Sequence, residues 1–204
     1  MKRVKNITIA ILLGSALIAP TAAFSFGGFS LPSVPGIGGG SSKSVDSEGL
    51  SRRTTSVVMD FITAITLFEK ALGMKDSAEM KDAKAGCASS KGCSSDDIDK
   101  VTSVSDRLKD KVSQMKKDGV KLDAEASKNF SKGLLPYISG TVKIVVLGKD
   151  LIDAGKSDPM SMLSMLDVIT AIPKMGSGFS SATGAIIDYA DYNGIDVPEA
   201  SAAE

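Results

Sequence analysis

One stretch of the sequence constrains the fold more than any other. From Gly133 to Gly148 it reads GLLPYISGTVKIVVLG, sixteen residues with a single charged side chain, Lys143. The apolar residues here point in nearly every direction around a helix, and only the sector of Lys143 and Asp150 is polar. A helix that is apolar on most sides lies in a large protein core or in lipid. A segment of this length makes a helix of about 24 Å, shorter than the roughly 30 Å of bilayer hydrocarbon, which favours the core.

Nearly all of the chain beyond residue 45 has a helical period, and no segment alternates convincingly as a strand. Serine followed by aspartate begins a helix, and glycine or Asn-Gly ends one. We therefore predict an all-α fold, a single helical bundle of about five helices. The predicted helices cover residues 46–75, 94–118, 123–152, 160–172 and 179–192, with a break between the last two at Pro173 and at Gly176 to Gly178.

The pattern of side chains also predicts how these helices pack. The apolar residues of the first helix span a wide arc and require cover on more than one side, whereas helix 94–118 has one narrow stripe and should lie on the surface. In the third helix Pro136 should introduce a kink or a new start, and Gly133, Gly140 and Gly148 would let a neighbouring helix approach closely. Asp60, at the edge of the first apolar arc, needs contact with water or a lysine from a neighbouring helix.

The N-terminus has the order of residues found in secretory signal peptides. Three basic residues precede an apolar run of about 13 residues, and small residues follow as far as Ala23, where we expect cleavage. The next segment is rich in Gly, Ser and Pro and is expected to be flexible, although its apolar residues are alternatively a short tether for a partner. The predicted organisation is a signal peptide over 1–23, a flexible linker over 24–45, a helical bundle domain over 46–195 and a loose C-terminal tail over 196–204.

The two cysteines, Cys87 and Cys93, are separated by five residues rich in Ser and Gly. In an exported chain such a pair is expected to form a disulfide, which here would close a loop between the first two helices. The spacing is not the C-x-x-C of a thiol oxidoreductase, and a zinc ion would need two further ligands. We therefore predict a structural disulfide, with no metal site and no cofactor.

The chain contains no histidine. This excludes Ser-His-Asp and Cys-His nucleophilic sites, histidine-ligated zinc and Glu-x-x-His di-iron sites. The aspartates of residues 96–99 lack the pattern of a calcium loop and instead suit the start of a helix. We predict no catalytic residues and a protein that is not an enzyme, because an enzyme would require an unexpected cleft that gathers Lys143, Asp60 or Tyr137.

Charge and methionine content indicate the function class. Acidic and basic residues are balanced at 24 each, so bulk charge attracts no nucleic acid. We predict an exported protein, periplasmic or extracellular, that binds another envelope or secreted protein or an apolar ligand. The candidate apolar binding surface is Met160, Met162 and Met165, because methionine adapts to varied apolar surfaces, although core filling is an alternative. The alternative function is a membrane-active or envelope-associated protein that inserts residues 133–172 into a bilayer as an apolar helical hairpin. The charged residues within this range make the free energy of insertion less favourable.

Overall fold

Five α-helices make up the described part of the chain. The computed structural model describes residues 47–89, 92–157 and 166–198, and within them the side chains of residues 49–89, 92–150 and 170–198. The helices are α1 Ser47–Ala71, α2 Ala78–Cys87, α3 Ser95–Lys117, α4 Ala124–Ser157 and α5 Leu166–Tyr192. No strand occurs in these ranges, so the predicted all-α class is confirmed. The predicted signal peptide, the linker and residues 160–165 of the predicted fourth helix lie outside the described residues.

The short helix α2 lies in a lysine-rich segment for which the sequence pattern predicts no helix. Its N-cap is Ser77, whose Oγ accepts a hydrogen bond from the backbone N–H of Met80 at 3.2 Å. Met80, Ala83 and Cys87 have helical spacing and are buried, but the charged residues between them obscure this period in the sequence. The disulfide therefore joins the end of the second helix to the segment before the third, and its predicted position between the first two helices is wrong.

The predicted break between the last two helices is also wrong. α5 continues through Pro173 and through Gly176 to Gly178 as one helix. A proline inside a helix removes one backbone hydrogen bond and disfavours the helical conformation of the residue before it. Here tertiary packing outweighs that local penalty, because the residues on both sides of the proline bury side chains along one face: Ala171, Ile172, Met175 and Phe179. In α4, likewise, Pro136 lies within one continuous helix.

Ion pairs define the direction in which the long helices run. α1 and α4 are antiparallel, since Arg53 pairs with Asp150 and Asp60 pairs with Lys143. α3 and α5 are parallel, because pairs form at matching ends of the two helices: Asp99 with Lys174 and Lys116 with Asp188. α4 also packs on α5, and α2 packs across α3 and α1. Of the two alternatives that the sequence left open for Asp60, both occur: its Oδ2 lies 2.8 Å from Lys143 Nζ, and its side chain is 30% exposed to water.

The centre of the core is a connected chain of aromatic rings. All seven Phe and Tyr side chains in the described ranges take part, and Phe61 lies between Phe179, stacked at 3.6 Å between ring centroids, and Tyr137, edge-on at 5.2 Å. The chain continues through rings contributed by α1, α4 and α5: Phe68, Phe130, Tyr189 and Tyr192. Aliphatic side chains surround it. In the predicted narrow stripe of α3, five residues are buried and Met115 is partly buried; the five are Ile98, Val101, Val104, Leu108 and Val112.

Two predicted helix ends are confirmed in detail. Gly119 and Gly194 both have a φ of +71°, a conformation that disfavours any side chain. After each glycine the next backbone N–H bonds back across the last turn, from Val120 to the carbonyl of Met115 at 2.9 Å and from Ile195 to that of Ala190 at 3.0 Å. Ile195 and Val197, the latter from the predicted C-terminal tail, pack partly against the core.

Candidate binding surface

The residues singled out in the sequence do not converge on one site. Met160, Met162 and Met165 lie outside the described residues, so the predicted methionine surface stays a prediction. Cys87 and Cys93 form the predicted disulfide, with Cα atoms 4.0 Å apart. Cys87 is buried and Cys93 is partly exposed.

Lys143, Asp60 and Tyr137 are divided between the surface and the core. The ion pair of Lys143 and Asp60 is about one-third exposed at the edge of the α1–α4 contact. Tyr137 is fully buried; its hydroxyl lies 3.1 Å from Ser105 Oγ and donates to the carbonyl of Phe179 at 3.4 Å. Burial raises the pKa of Tyr137 well above its usual value, opposed in part by the hydrogen bond to Ser105. A tyrosine so enclosed is suited to fixing three helices in register.

Sequence reasoning missed one buried carboxylate, Glu69 near the end of α1. It is 2% exposed, and loss of hydration raises its pKa, while hydrogen bonding by the side chain and backbone of Ser77 acts in the opposite direction. Ser77 is also the N-cap of α2, so this contact places a carboxylate at the positive end of that helix. The arrangement attaches the start of α2 to α1.

The face of α4 that points away from the core is apolar. Gly133, Tyr137, Gly140 and Ile144 lie on the inner side, where rings of α1 contact the two glycines so closely that an added Cβ would fall 2.7 Å from Phe68 Cε1 and 3.0 Å from Phe61 Cε2. The opposite side carries aliphatic residues at helical spacing, which we call the outer strip: Leu135, Ile138, Val142, Val145 and Val146.

Exposure varies along the outer strip. Leu135 is 56% exposed, more than any other large apolar side chain in the described ranges, whereas Ile138, Val145 and Val146 are partly exposed and Val142 is 7% exposed. Exposed lysines lie toward both ends of the strip: Lys128, Lys132 and Lys149. An apolar centre with a charged rim is the usual anatomy of a protein contact surface.

The same helix is the one candidate for membrane contact among the described residues. By length and composition alone, the segment Ala124–Asp150 is long and apolar enough to cross a bilayer. Of its most apolar 18 residues, 56% are buried inside the bundle. The core helix of a soluble protein passes the same test. In the described ranges, no group of three or more Cys, Asp or Glu side chains is placed to hold a metal ion.

Comparison of the chain with protein-family models, with curated proteins and with solved structures gives no match. The function is therefore inferred from the chain's own residues.

Proposed function

We propose that this protein is an exported, non-enzymatic helical bundle that acts by binding a protein partner through the outer strip of α4. The observation that carries the proposal is Leu135, a large aliphatic side chain that is more than half exposed on the side of α4 opposite Gly133 and Gly140. Among the described residues, the contacts of α4 with Phe68 and Phe61 of α1 are made by its opposite side, at Gly133 and Gly140.

The geometry of the strip favours a helical or extended segment as the partner's contribution. From Leu135 to Val146 the strip is about 17 Å long at 1.5 Å per residue. Side chains that recur every three or four residues form ridges that receive the apolar face of another helix. The lysines toward the ends of the strip would favour a partner whose apolar residues are bordered by Asp or Glu.

The non-enzymatic part of the proposal rests on how the polar groups are used. Lys143 and Asp60 neutralise each other, and the Tyr137 hydroxyl is occupied by Ser105 and the Phe179 carbonyl. Export is supported by the order of residues at the N-terminus and agrees with the disulfide, since such bonds persist in oxidising compartments.

Site-specific photocross-linking in cells that make the protein tests the binding proposal. A photoreactive residue at position 135 should form an adduct of one defined mass. Val120, which is 43% exposed at the turn before α4, provides the matched control, and the same residue there should form no such adduct. Equal adducts at both positions, or none at 135, would count against the outer strip as a binding surface.

Membrane action is the second candidate function, and the apolar length of α4 favours it. The test is flotation of residues 24–204 with lipid vesicles, for the wild-type chain and for Leu135→Lys. Flotation of the wild-type chain that the substitution abolishes would assign the outer strip to lipid. A wild-type chain that stays at the bottom of the gradient supports a protein partner.

A further inference from the structure

The disulfide connects α2 to a corner that is held by two other helices. Cys87 is the last residue of α2, and Cys93 directly precedes Ser94, the N-cap of α3. The backbone N–H of Cys93 also donates to Thr55 Oγ1 of α1 at 3.3 Å. The position of Cys93 is therefore determined by α1 and α3 together, and the bond to Cys87 holds the end of α2 at this corner.

Apart from the disulfide, α2 is held by its packing on α3 and α1, including the close approach of Gly86 to Asp97 of α3, and by a few polar contacts. It has ten residues, too few for a stable isolated helix in water. Its buried side chains are Met80, Ala83 and Cys87 itself. An ion pair between Glu79 and Arg107 of α3 has its atoms 2.9 Å apart but is nearly half exposed, and such pairs contribute little. At the other end, α2 is held by the contact of Ser77 with Glu69.

The side of α1 that faces α2 is apolar between two contacts with the α2 region. Thr55 receives the Cys93 N–H at one end, and Glu69 interacts with Ser77 at the other. The residues between them on this side, at spacings of three and four, are fully or almost fully buried: Val58, Ile62 and Ile65. Displacement of α2 would expose apolar surface here.

We propose that the Cys87–Cys93 disulfide is a thiol-sensitive clamp: its reduction releases α2 and uncovers apolar surface on α1, while the four long helices stay packed. The bond keeps the two Cα atoms 4.0 Å apart. Without it, the six peptide units that join them span up to about 20 Å. The chain-entropy model gives a rise of about 50-fold in the population with α2 released.

The chemistry is ordinary thiol–disulfide exchange with a dithiol reductant. Cys93 is the accessible partner, so the reductant's thiolate attacks its sulfur and forms a mixed disulfide, while Cys87 leaves as a thiolate and takes up a proton. The reductant's second thiol then attacks the mixed disulfide and releases Cys93 as a thiol. The reductant departs as a disulfide, and two electrons have passed to the protein.

Hydrogen exchange measured by mass spectrometry on the full chain tests the clamp. We compare the oxidised protein, the protein reduced with a dithiol, and the variant Cys87→Ala/Cys93→Ala. Reduction should speed exchange in residues 78–87 by about 50-fold and leave the peptides of α3, α4 and α5 unchanged. The double variant should match the reduced protein and should not respond to the reductant.

Two outcomes overturn the proposal. Unchanged exchange in residues 78–87 after complete reduction would mean that α2 is held by its packing alone. Faster exchange in all five helices together would mean that the disulfide supports the whole bundle. If the double variant does not fold, the comparison of oxidised with reduced wild-type protein still distinguishes these outcomes.

Discussion

The contact of α1 with α4 predicts that one substitution, glycine to alanine, has different effects on stability at two helical positions. At Gly133 a new Cβ would lie 2.7 Å from Phe68 Cε1 and 3.1 Å from the carbonyl oxygen of Ala64. Neither neighbour can move easily, because Phe68 is fully buried with its ring against Phe130 at 4.6 Å, and the carbonyl belongs to the α1 backbone. At Gly184 on α5 nothing lies within 4 Å of the added atom.

The magnitudes follow from two opposing contributions. Alanine in place of glycine inside a helix stabilises by about 1 kcal/mol. Overpacking of a well-filled core destabilises by about 1–3 kcal/mol. Gly184→Ala should therefore raise the free energy of unfolding by about 1 kcal/mol. The free energy of unfolding of Gly133→Ala should be about 1–3 kcal/mol lower than that of Gly184→Ala, because only the first substitution creates a clash.

Urea denaturation followed by circular dichroism measures both variants on one scale. The slope of free energy against urea should be unchanged, so that the midpoints report stability directly. Phe68→Leu should destabilise less in the Gly133→Ala background than in the wild type, because there it also removes the ring edge that the new methyl group meets. Equal stabilisation by alanine at 133 and 184 would refute the close approach of α1 to α4.

Three further predictions concern polar groups. Removing one partner of the one-third-exposed Asp60–Lys143 pair should destabilise by about 1 kcal/mol, and a double-mutant cycle with Asp60→Asn and Lys143→Met should show positive coupling of similar size. The pKa of Tyr137 is raised by burial, so its contribution to stability is present below the unfolded-state pKa of about 10 and is lost as the pH rises above it. Above that pH, the free energy of unfolding should therefore fall more steeply for the wild type than for Tyr137→Phe. At pH 7 the Tyr137→Phe variant should be less stable than the wild type by about 1–2 kcal/mol, because Ser105 loses its buried hydrogen-bond partner. The pKa of Glu69 is also raised by burial, which means that the folded protein disfavours the ionised carboxylate. Glu69→Gln should therefore be more stable than the wild type at pH 7, and this gain should disappear below about pH 4, where Glu69 is protonated in both states. Chemical denaturation at a series of pH values measures the difference.

Sequence reasoning succeeded where local signals and periodicity agree. In α3 the N-cap Ser94 and Asp97 form a reciprocal capping box, Gly119 provides the left-handed stop, and one apolar stripe is buried between them. Each of these signals needs only neighbouring residues, so a single sequence is sufficient to predict the helix.

The pattern failed where packing overrides local preference. Pro173 favours a break, yet the buried face of α5 continues across it. The buried residues of α2, among them Met80 and Ala83, are too few to stand out in a charged segment, and the helix is held by contacts made at its two ends. Contacts between residues far apart in the sequence decide both cases, and a window of a few residues does not contain them.

The orientation of α4, which places the outer strip on the surface, is likewise decided by contacts with another helix. Because α4 is apolar nearly all round, periodicity does not say which side faces inward. Gly133 and Gly140, seven residues apart, decide it: they provide a side without Cβ atoms, against which the rings of Phe68 and Phe61 pack. With that side turned to α1, Leu135 points outward and is 56% exposed. A large aliphatic side chain exposed to this extent has apolar surface that a partner could cover, so the outer strip is the first place to look for one.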